Sequence, residues 1–372
     1  MRVAIDIRKV HDFGIGTYVR NVVSELARQD QDTDYLLISR PADRDLAARL
    51  GPNFRAVIDR SSGYSVREQA SIPWLLARER VDVFHAPHYV LPPLVRCPSV
   101  VTIHDCIHLM FPQYLPNRLA STYARALMWN ATHRATHVLT VSEASKRDIL
   151  RFFRIPPERI TVTPNAIDAR FGTVPDDEHL ARVRERFQLH DPFVLYVGNI
   201  KPHKNVDRLI EAFALVRTGP LTHVKLLVIG DEISKYPTLR RAVHRLKLHK
   251  YVRFLGFVDD RTLASLYRLA TVFAFPSLYE GFGLPPLEAM ASGTPVVTSN
   301  VSSLPEVVGD AAIQVDPQDV NAIAHGLRRV LLDPELQAQM RARGLARAAE
   351  FSWPRTVATI RRIYGEVAGG RR

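Results

Sequence analysis

Cysteine is nearly absent: Cys97 and Cys106 are the only two in 372 residues. Their spacing suits no metal site, so a disulfide scaffold is excluded and free thiols in a reducing compartment are expected. No stretch approaches the roughly 18 uninterrupted apolar residues that a membrane-spanning helix needs. The opening run Met1-Arg2-Val3-Ala4-Ile5-Asp6-Ile7 is too short and too charged for the core of a signal peptide. Both absences point to the cytoplasm. Acidic residues are in deficit, 38 against 50 Lys and Arg, for a net charge of +12. Such a surface draws anions: nucleotide substrates, nucleic acid or an acidic membrane leaflet. Helix-turn-helix, zinc and aromatic-basic stacking signatures are missing, so no specific nucleic-acid binding is expected. The surplus gathers in Arg240, Arg241, Arg245, Lys247 and Lys250, and again in Arg147, Arg151, Arg154 and Arg159. Each cluster reads as a solvated helix face or as a peripheral contact with an anionic membrane.

What is present is an alternation of short apolar runs with amphipathic segments, the mark of an α/β fold with parallel sheets. Strands are expected at Val3–Ile7, Tyr35–Ser39, Phe54–Ile58, Val81–His85, Ser99–His104, His137–Val141 and Ile160–Thr163. Helices fit Thr17–Arg28, Arg67–Glu79, Arg118–Ala135 and Ala144–Phe153, the last capped by Ser142. Pro164, Gly172 and Pro175, then Asp176, Asp177 and Glu178, read as a hinge into a short helix. A second series follows, with strands at Phe193–Gly198, Lys225–Ile229, Val252–Leu255, Thr271–Phe275, Pro295–Thr298 and Ala311–Val315. Helical runs Val320–Leu332, Glu335–Glu350 and Pro354–Val367 close the chain. The length allows two domains, each with its own core. Two Rossmann-like units, 1–170 and 171–352, facing across a cleft are therefore expected.

The segment Glu280-Gly281-Phe282-Gly283-Leu284-Pro285-Pro286-Leu287-Glu288 carries the strongest chemical signal. Its glycines let backbone approach a ligand, and its prolines suit the opening of a helix. Helix N-termini offer unpaired N–H donors and a positive dipole end, a setting for a phosphate or diphosphate flanked by Glu280 and Glu288. The loop follows an apolar strand, so it lies outside a carboxyl end, where open parallel sheets bind ligands. Gly198-Asn199-Ile200-Lys201-Pro202-His203-Lys204-Asn205 occupies an equivalent place, with Asn205 as the expected N-cap of Val206–Val216. The Lys204 ammonium would stabilise a departing diphosphate more than its ground state. Gly14-Ile15-Gly16, in a loop before a helix, lacks a third glycine and is a weak dinucleotide fingerprint. His104 ends one strand, and His85 and His88 close its neighbour.

Together these motifs, with Thr102-Ile103-His104-Asp105, Val141-Ser142-Glu143 and Pro164-Asn165, resemble the retaining glycosyltransferases of the GT-B fold. The likeness is greatest to the large group 1, family 4 type that includes bacterial GDP-mannose-dependent mannosyltransferases. The resemblance implies that 1–170 lies on the acceptor's side, that 171–352 holds the nucleotide-sugar donor, and that a final helix, within 353–372, crosses back to the first domain. It implies that Glu288 binds ribose hydroxyls and that Glu280 faces the transferred sugar. Backbone N–H groups of Phe282, Gly283 and Leu284 would meet sugar or phosphate, and the Gly256-Phe257-Val258 segment would pin the base. Gly16 would lie near the donor diphosphate, and His104 would hydrogen-bond the hexose, with His85 and His88 lining the acceptor side. Asn199 stands in the donor-binding loop where many relatives carry Arg, a charge that Lys201 or His203 would supply.

The implied reaction transfers a hexose, with retention, from a sugar nucleotide to a glycan or lipid-linked acceptor in cell-surface polysaccharide synthesis. GDP-mannose is the favoured donor; UDP-glucose, UDP-galactose and UDP-N-acetylglucosamine stay open, as do a GT-B epimerase and a non-enzymatic basic binding protein. No cofactor and no metal are expected. The Asp-x-Asp patterns at Asp30 to Asp34 and Asp43 to Asp45 follow no apolar strand, so Lys204, helix dipoles and backbone amides would neutralise the diphosphate.

Overall fold

A computed structural model describes residues 1–63, 65–115, 117–173, 176–230 and 233–370. Pro175 of the expected hinge, and Arg371 and Arg372 at the end of the returning helix, lie outside the described residues. The chain divides into two compact units, Met1–Asn165 with Ser352–Arg372, and Ala166–Phe351.

The first unit holds β1 (Arg2–Asp6), β2 (Asp34–Ser39), β3 (Phe54–Ile58), β4 (Val83–Ala86), β5 (Ser99–Ile103), β6 (His137–Thr140) and β7 (Ile160–Val162). They form one seven-stranded sheet in the order β3-β2-β1-β4-β5-β6-β7. Every pairing is parallel. Parallel sheets are covered by helices on both faces, so their strands read as near-continuous apolar runs. β4 and β5 are buried at every residue. The strand order reverses between β1 and β4, which makes the loops after them the topological switch point. The helix Phe13–Gln29 packs against the last helix, Trp353–Gly369. Arg361 Nε donates to Asp30 Oδ2 at 3.1 Å, and Thr356 Oγ1 to the Pro164 carbonyl at 2.7 Å.

The second unit repeats the plan with β8 (Phe193–Gly198), β9 (Lys225–Gly230), β10 (Val252–Gly256), β11 (Val272–Phe275), β12 (Val296–Ser299) and β13 (Ile313–Val315). Its six strands run in the order β10-β9-β8-β11-β12-β13, with the reversal between β8 and β11. The helix Val206–Val216 buries Leu209, Ile210, Phe213 and Val216. β8 and β9 end so close together that a Cβ on Gly230 (φ 141°) would collide with the Gly198 carbonyl. That position admits only glycine.

Several expectations change. Gly14 and Gly16 lie inside the helix Phe13–Gln29, not in a loop before it. Buried Val10 folds the preceding loop against that helix, and a side chain at Gly16 would strike the Val10 carbonyl. Asn205 precedes Val206–Val216 in a left-handed conformation (φ 61°) and makes no side-chain cap. Ser142 caps Glu143–Phe153 as expected, accepting from Ser145 N at 3.0 Å. The helix Asp260–Leu269, capped by Asp259, is an addition to the expected elements. Arg159 leaves its basic cluster, because it donates to the His133 and Ala135 carbonyls at the end of the helix Arg118–Arg134. Among the described residues no helix is long and apolar enough to cross a membrane.

Candidate active site

In the second unit the loops after β8 and β11, neighbours at the switch point, are stitched together. Asn205 Nδ2 donates to the Pro276 carbonyl at 2.9 Å and to the Pro317 carbonyl at 2.7 Å. Leu278 N donates to the His203 carbonyl at 2.7 Å. The asparagine therefore clamps the two loops, which its sequence position as a cap did not reveal. The clamp sets Lys204 against Glu280: Nζ donates to Oε1 at 2.7 Å and to Oε2 at 2.9 Å. Their side chains are only 15% and 12% exposed, so the charges are held in a largely desolvated place. The ammonium also lies 5.4 Å from the centroid of the Phe275 ring. Lys204 and Glu280, expected to meet separate parts of a ligand, pair with each other here.

The Glu280 loop is fixed from β12 as well. Ser302 Oγ donates to the Glu280 carbonyl at 2.6 Å and accepts from Glu280 N at 3.2 Å. Ser303 Oγ lies 2.9 Å from the Glu280 carbonyl and 2.6 Å from that of Phe282. Both serines escaped the sequence reading; the positive φ of Ser302, 59°, is visible only in the structure. Gly283 (φ 117°) opens the helix Leu284–Ala291, with Pro285 and Pro286 in its first turn. Proline has no N–H, so the donors of this helix end reduce to those around Gly283 and Leu284. The Phe282 side chain is buried edge-on against Phe351, which leaves its backbone as the part suited to a ligand.

Glu288 lies in the second turn of that helix. Tyr267 Oη donates to its Oε2 at 3.0 Å. Burial pushes the carboxyl up to about 7, opposed by the Tyr267 hydrogen bond and by the charge of Arg170. Arg170 is itself held by Asp168 at 2.6 Å and by Asp260. Tyr267 and Arg170 were missed because one sits on the unrecognised helix and the other in the expected hinge. Asn199 has a buried Oδ1 with no hydrogen-bond partner, while its carbonyl accepts from Tyr196 Oη at 3.0 Å. Lys201 is exposed and His203 buried. Val258 follows β10 at the sheet's edge, beyond a register shift between Phe254 and Gly256. It is therefore not beside the Lys204–Glu280 pair in strand order.

In the first unit His104 follows β5, half-buried, with Nε2 2.9 Å from the Pro87 carbonyl and its ring edge-on to Tyr18 at 4.9 Å. Burial lowers its pKa, so the imidazole is neutral near pH 7 and suited to hydrogen bonding rather than to carrying charge. His85 does not line an acceptor site. It is fully buried, with Nδ1 2.6 Å from Tyr364 Oη and Nε2 2.8 Å from Thr102 Oγ1. Those bonds tie β4 and β5 to the last helix. His88 is buried too, and accepts from Val90 N at 3.0 Å. Burial lowers both imidazoles to about 3. Among the described residues no group of three or more His, Cys, Asp or Glu could hold a metal ion.

The model of the glycosyl transferases group 1 matches residues 177–347, and that of glycosyltransferase family 4 matches residues 14–171. The O-antigen chain mannosyltransferase B of Escherichia coli is 37% identical over 281 residues, covering 75% of this chain and 73% of that protein. The serotype-specific mannosyltransferase WbdA of Escherichia coli is 29% identical over 331 residues, 85% of this chain; the chain spans only 37% of WbdA's length. Among solved structures, Anabaena Alr3699/HepE in complex with UDP and glucose superposes with a TM-score of 0.79 at 18% identity, over 98% of this chain and 100% of that one. Two parallel-sheet Rossmann-like units, two glycosyltransferase family matches laid end to end, and the identity to mannosyltransferase B converge: this chain is a glycosyltransferase of GT-B fold and belongs to the group 1, family 4 type.

Proposed function

We propose that this enzyme transfers mannose from GDP-mannose, with retention, to a glycan or lipid-linked acceptor in cell-surface polysaccharide synthesis. The observation that carries the reading is the Lys204–Glu280 pair at 2.7 Å, at the carboxyl ends of the two central strands of the second unit. A donor diphosphate would take over the ammonium of Lys204, freeing the Glu280 carboxylate for the hexose hydroxyls. Glu288 would accept the ribose hydroxyls, and backbone N–H groups of Phe282, Gly283 and Leu284 the sugar and phosphate oxygens. Asn199 and Val258 would complete the donor contacts, the latter at the base. In the first unit His104 is proposed as a hydrogen-bond partner of the hexose and Gly16 as a close-approach backbone for the diphosphate.

In the transfer the anomeric C–O bond to phosphate breaks and the acceptor oxygen bonds to the same face of that carbon. The acceptor's proton passes to the departing phosphate oxygen. No metal and no cofactor is needed in this scheme, because the Lys204 cation is fixed where negative charge grows. The mannose preference is supported by the mannosyltransferase relatives. A UDP-sugar donor is the second reading, favoured by the UDP and glucose bound in Alr3699/HepE. The proposed place of work is the cytoplasm, with peripheral contact to an anionic membrane.

A thermal-shift and hydrolysis screen over GDP-mannose and UDP-sugars, with and without EDTA, tests the reading. GDP-mannose should stabilise most by mass action and be hydrolysed in EDTA. A response to UDP-sugars alone would replace the donor, and silence towards all of them would sink the proposal. Glu288→Ala should weaken nucleotide binding by about 2 kcal/mol, the scale of a charge-assisted hydrogen bond. Unchanged affinity would remove Glu288 from the site.

A further inference from the structure

A groove of about 540 Å³ opens in the first unit beside the edge strand β3. Its lining includes Arg44, Arg60, Arg67, Asp59, Ser71 and Trp74. Three of these, Arg67, Ser71 and Trp74, come from one face of the helix Val66–Arg78 at the spacing that aligns side chains. Trp74 is 59% exposed, unusual for so large an apolar ring, and Arg78 lies over it at 4.7 Å. The side chains of Arg44, Arg60 and Arg67 are exposed and make no hydrogen bond or ion pair with any described residue.

A buried arginine of the same unit shows the contrast. Arg8 is buried and holds Asp6 at 2.6 Å, Asp59 at 2.8 Å and Glu68 at 2.5 Å. Asp59, the carboxylate in the groove wall, is thus already committed, to Arg8 and to Ser61. Three acids against one guanidinium leave the buried cluster net negative. Asp59 shares the groove wall with the three arginines, yet consumes none of their N–H donors. A groove with unspent guanidinium forks calls for oxyanions in planar, two-pronged geometry, which phosphate supplies. An exposed indole beside them suits the apolar face of a sugar ring, and the volume is that of a small-molecule site.

We infer that this groove binds a phosphorylated saccharide, and, resting on the transferase reading above, that it is the acceptor's anionic subsite. Arg44, Arg60 and Arg67 hold the phosphate or diphosphate, and Trp74 packs on the adjoining sugar. The phosphate belongs either to a soluble sugar phosphate or to a saccharide linked through diphosphate to a lipid.

Calorimetry on the full chain at constant ionic strength, without donor, compares α-mannose 1-phosphate, methyl α-mannoside, inorganic phosphate and a detergent-solubilised polyprenyl diphosphate mannose. At least one sugar-bearing phosphate should bind tenfold or more tighter than methyl α-mannoside. Arg60→Ala and Arg67→Ala should each weaken that binding by about tenfold, the loss of a charge-assisted hydrogen bond. Arg67→Lys, keeping charge without the fork, should fall between. Whether the soluble or the lipid-linked probe shows the arginine dependence names the source. Equal affinity for the neutral glycoside, wild-type binding in both arginine variants, or inorganic phosphate binding as tightly with Trp74→Ala silent would each overturn the inference. The far-UV circular dichroism spectrum and thermal midpoint of the same variants, expected unchanged, report folding. Absence of donor hydrolysis in the wild type would count against the transferase reading and leave the groove's preference to be judged alone.

Discussion

Ser303 is fully buried, and its hydroxyl lies between the carbonyls of Glu280 and Phe282 at 2.9 and 2.6 Å. Ser303→Ala would leave the Phe282 carbonyl short of a partner in a buried place. The expected loss is about 1–3 kcal/mol of stability in the second unit, the cost of an unsatisfied buried polar group. Urea unfolding of the variant checks it, and an unchanged midpoint would show that water replaces the hydroxyl. In the sequence Val301-Ser302-Ser303-Leu304 looks like any turn, because nothing local ties it to a glutamate some twenty residues earlier. Lys204 and Glu280 were each identifiable from a glycine-broken loop after an apolar strand. Their mutual pairing was not, since it depends on Asn205 bridging to Pro276 and Pro317. His85 shows the opposite failure. A strand-end histidine resembles a ligand contact until Tyr364 arrives from the other end of the chain and takes one ring nitrogen.

At the scale of elements the parallel strands were readable because burial on both faces leaves an unbroken apolar run. Their ends were readable to within two residues, since a glycine or a polar residue stops the run. The helix Asp260–Leu269 went unnoticed although Asp259 caps it through Thr262 N at 3.0 Å. Its pattern is short and its buried face mixes Thr262, Ser265 and Tyr267 with Ala264 and Leu266. Glycines at strand ends separate two physical demands. Gly230 has both a positive φ and no room for a Cβ, whereas Gly256 (φ 65°) has open space around it. Gly230→Ala should therefore destabilise by at least about 3 kcal/mol, and Gly256→Ala by only about 1–2 kcal/mol of backbone strain. Thermal melts of the pair decide it: equal shifts would mean that β8 and β9 separate easily.

For the whole molecule, the return of Ser352–Arg372 to the first unit makes that unit discontinuous in sequence. Its core includes Tyr364, bonded to His85, while Arg361 on the same helix, part-exposed, is bonded to Asp30. The two units should also answer acid differently. Burial holds His85 and His88 near 3 against an ordinary 6.5, so between those values the unfolded chain takes up protons that the first unit refuses. Its stability is lost as pH falls through that window. Glu288 has the reverse sign: raised to about 7 from 4.5, it contributes stability to the second unit that is kept in acid and lost as pH rises through 7. All three tryptophans, Trp74, Trp129 and Trp353, fall in the first unit, so their fluorescence reports it alone. Between pH 7 and 5 the urea midpoint by tryptophan fluorescence should fall, while a second transition by circular dichroism holds or rises. A single coincident transition at every pH would contradict this. The sequence by itself determined the α/β class, the two series of strands, and the loops carrying Lys204, Glu280 and Glu288, because apolar periodicity and glycine or proline chemistry act over a few residues. Only the tertiary structure decided which charges meet, which histidines are sealed inside, and that three arginines share one groove, because those facts arise where distant segments exclude water from one another.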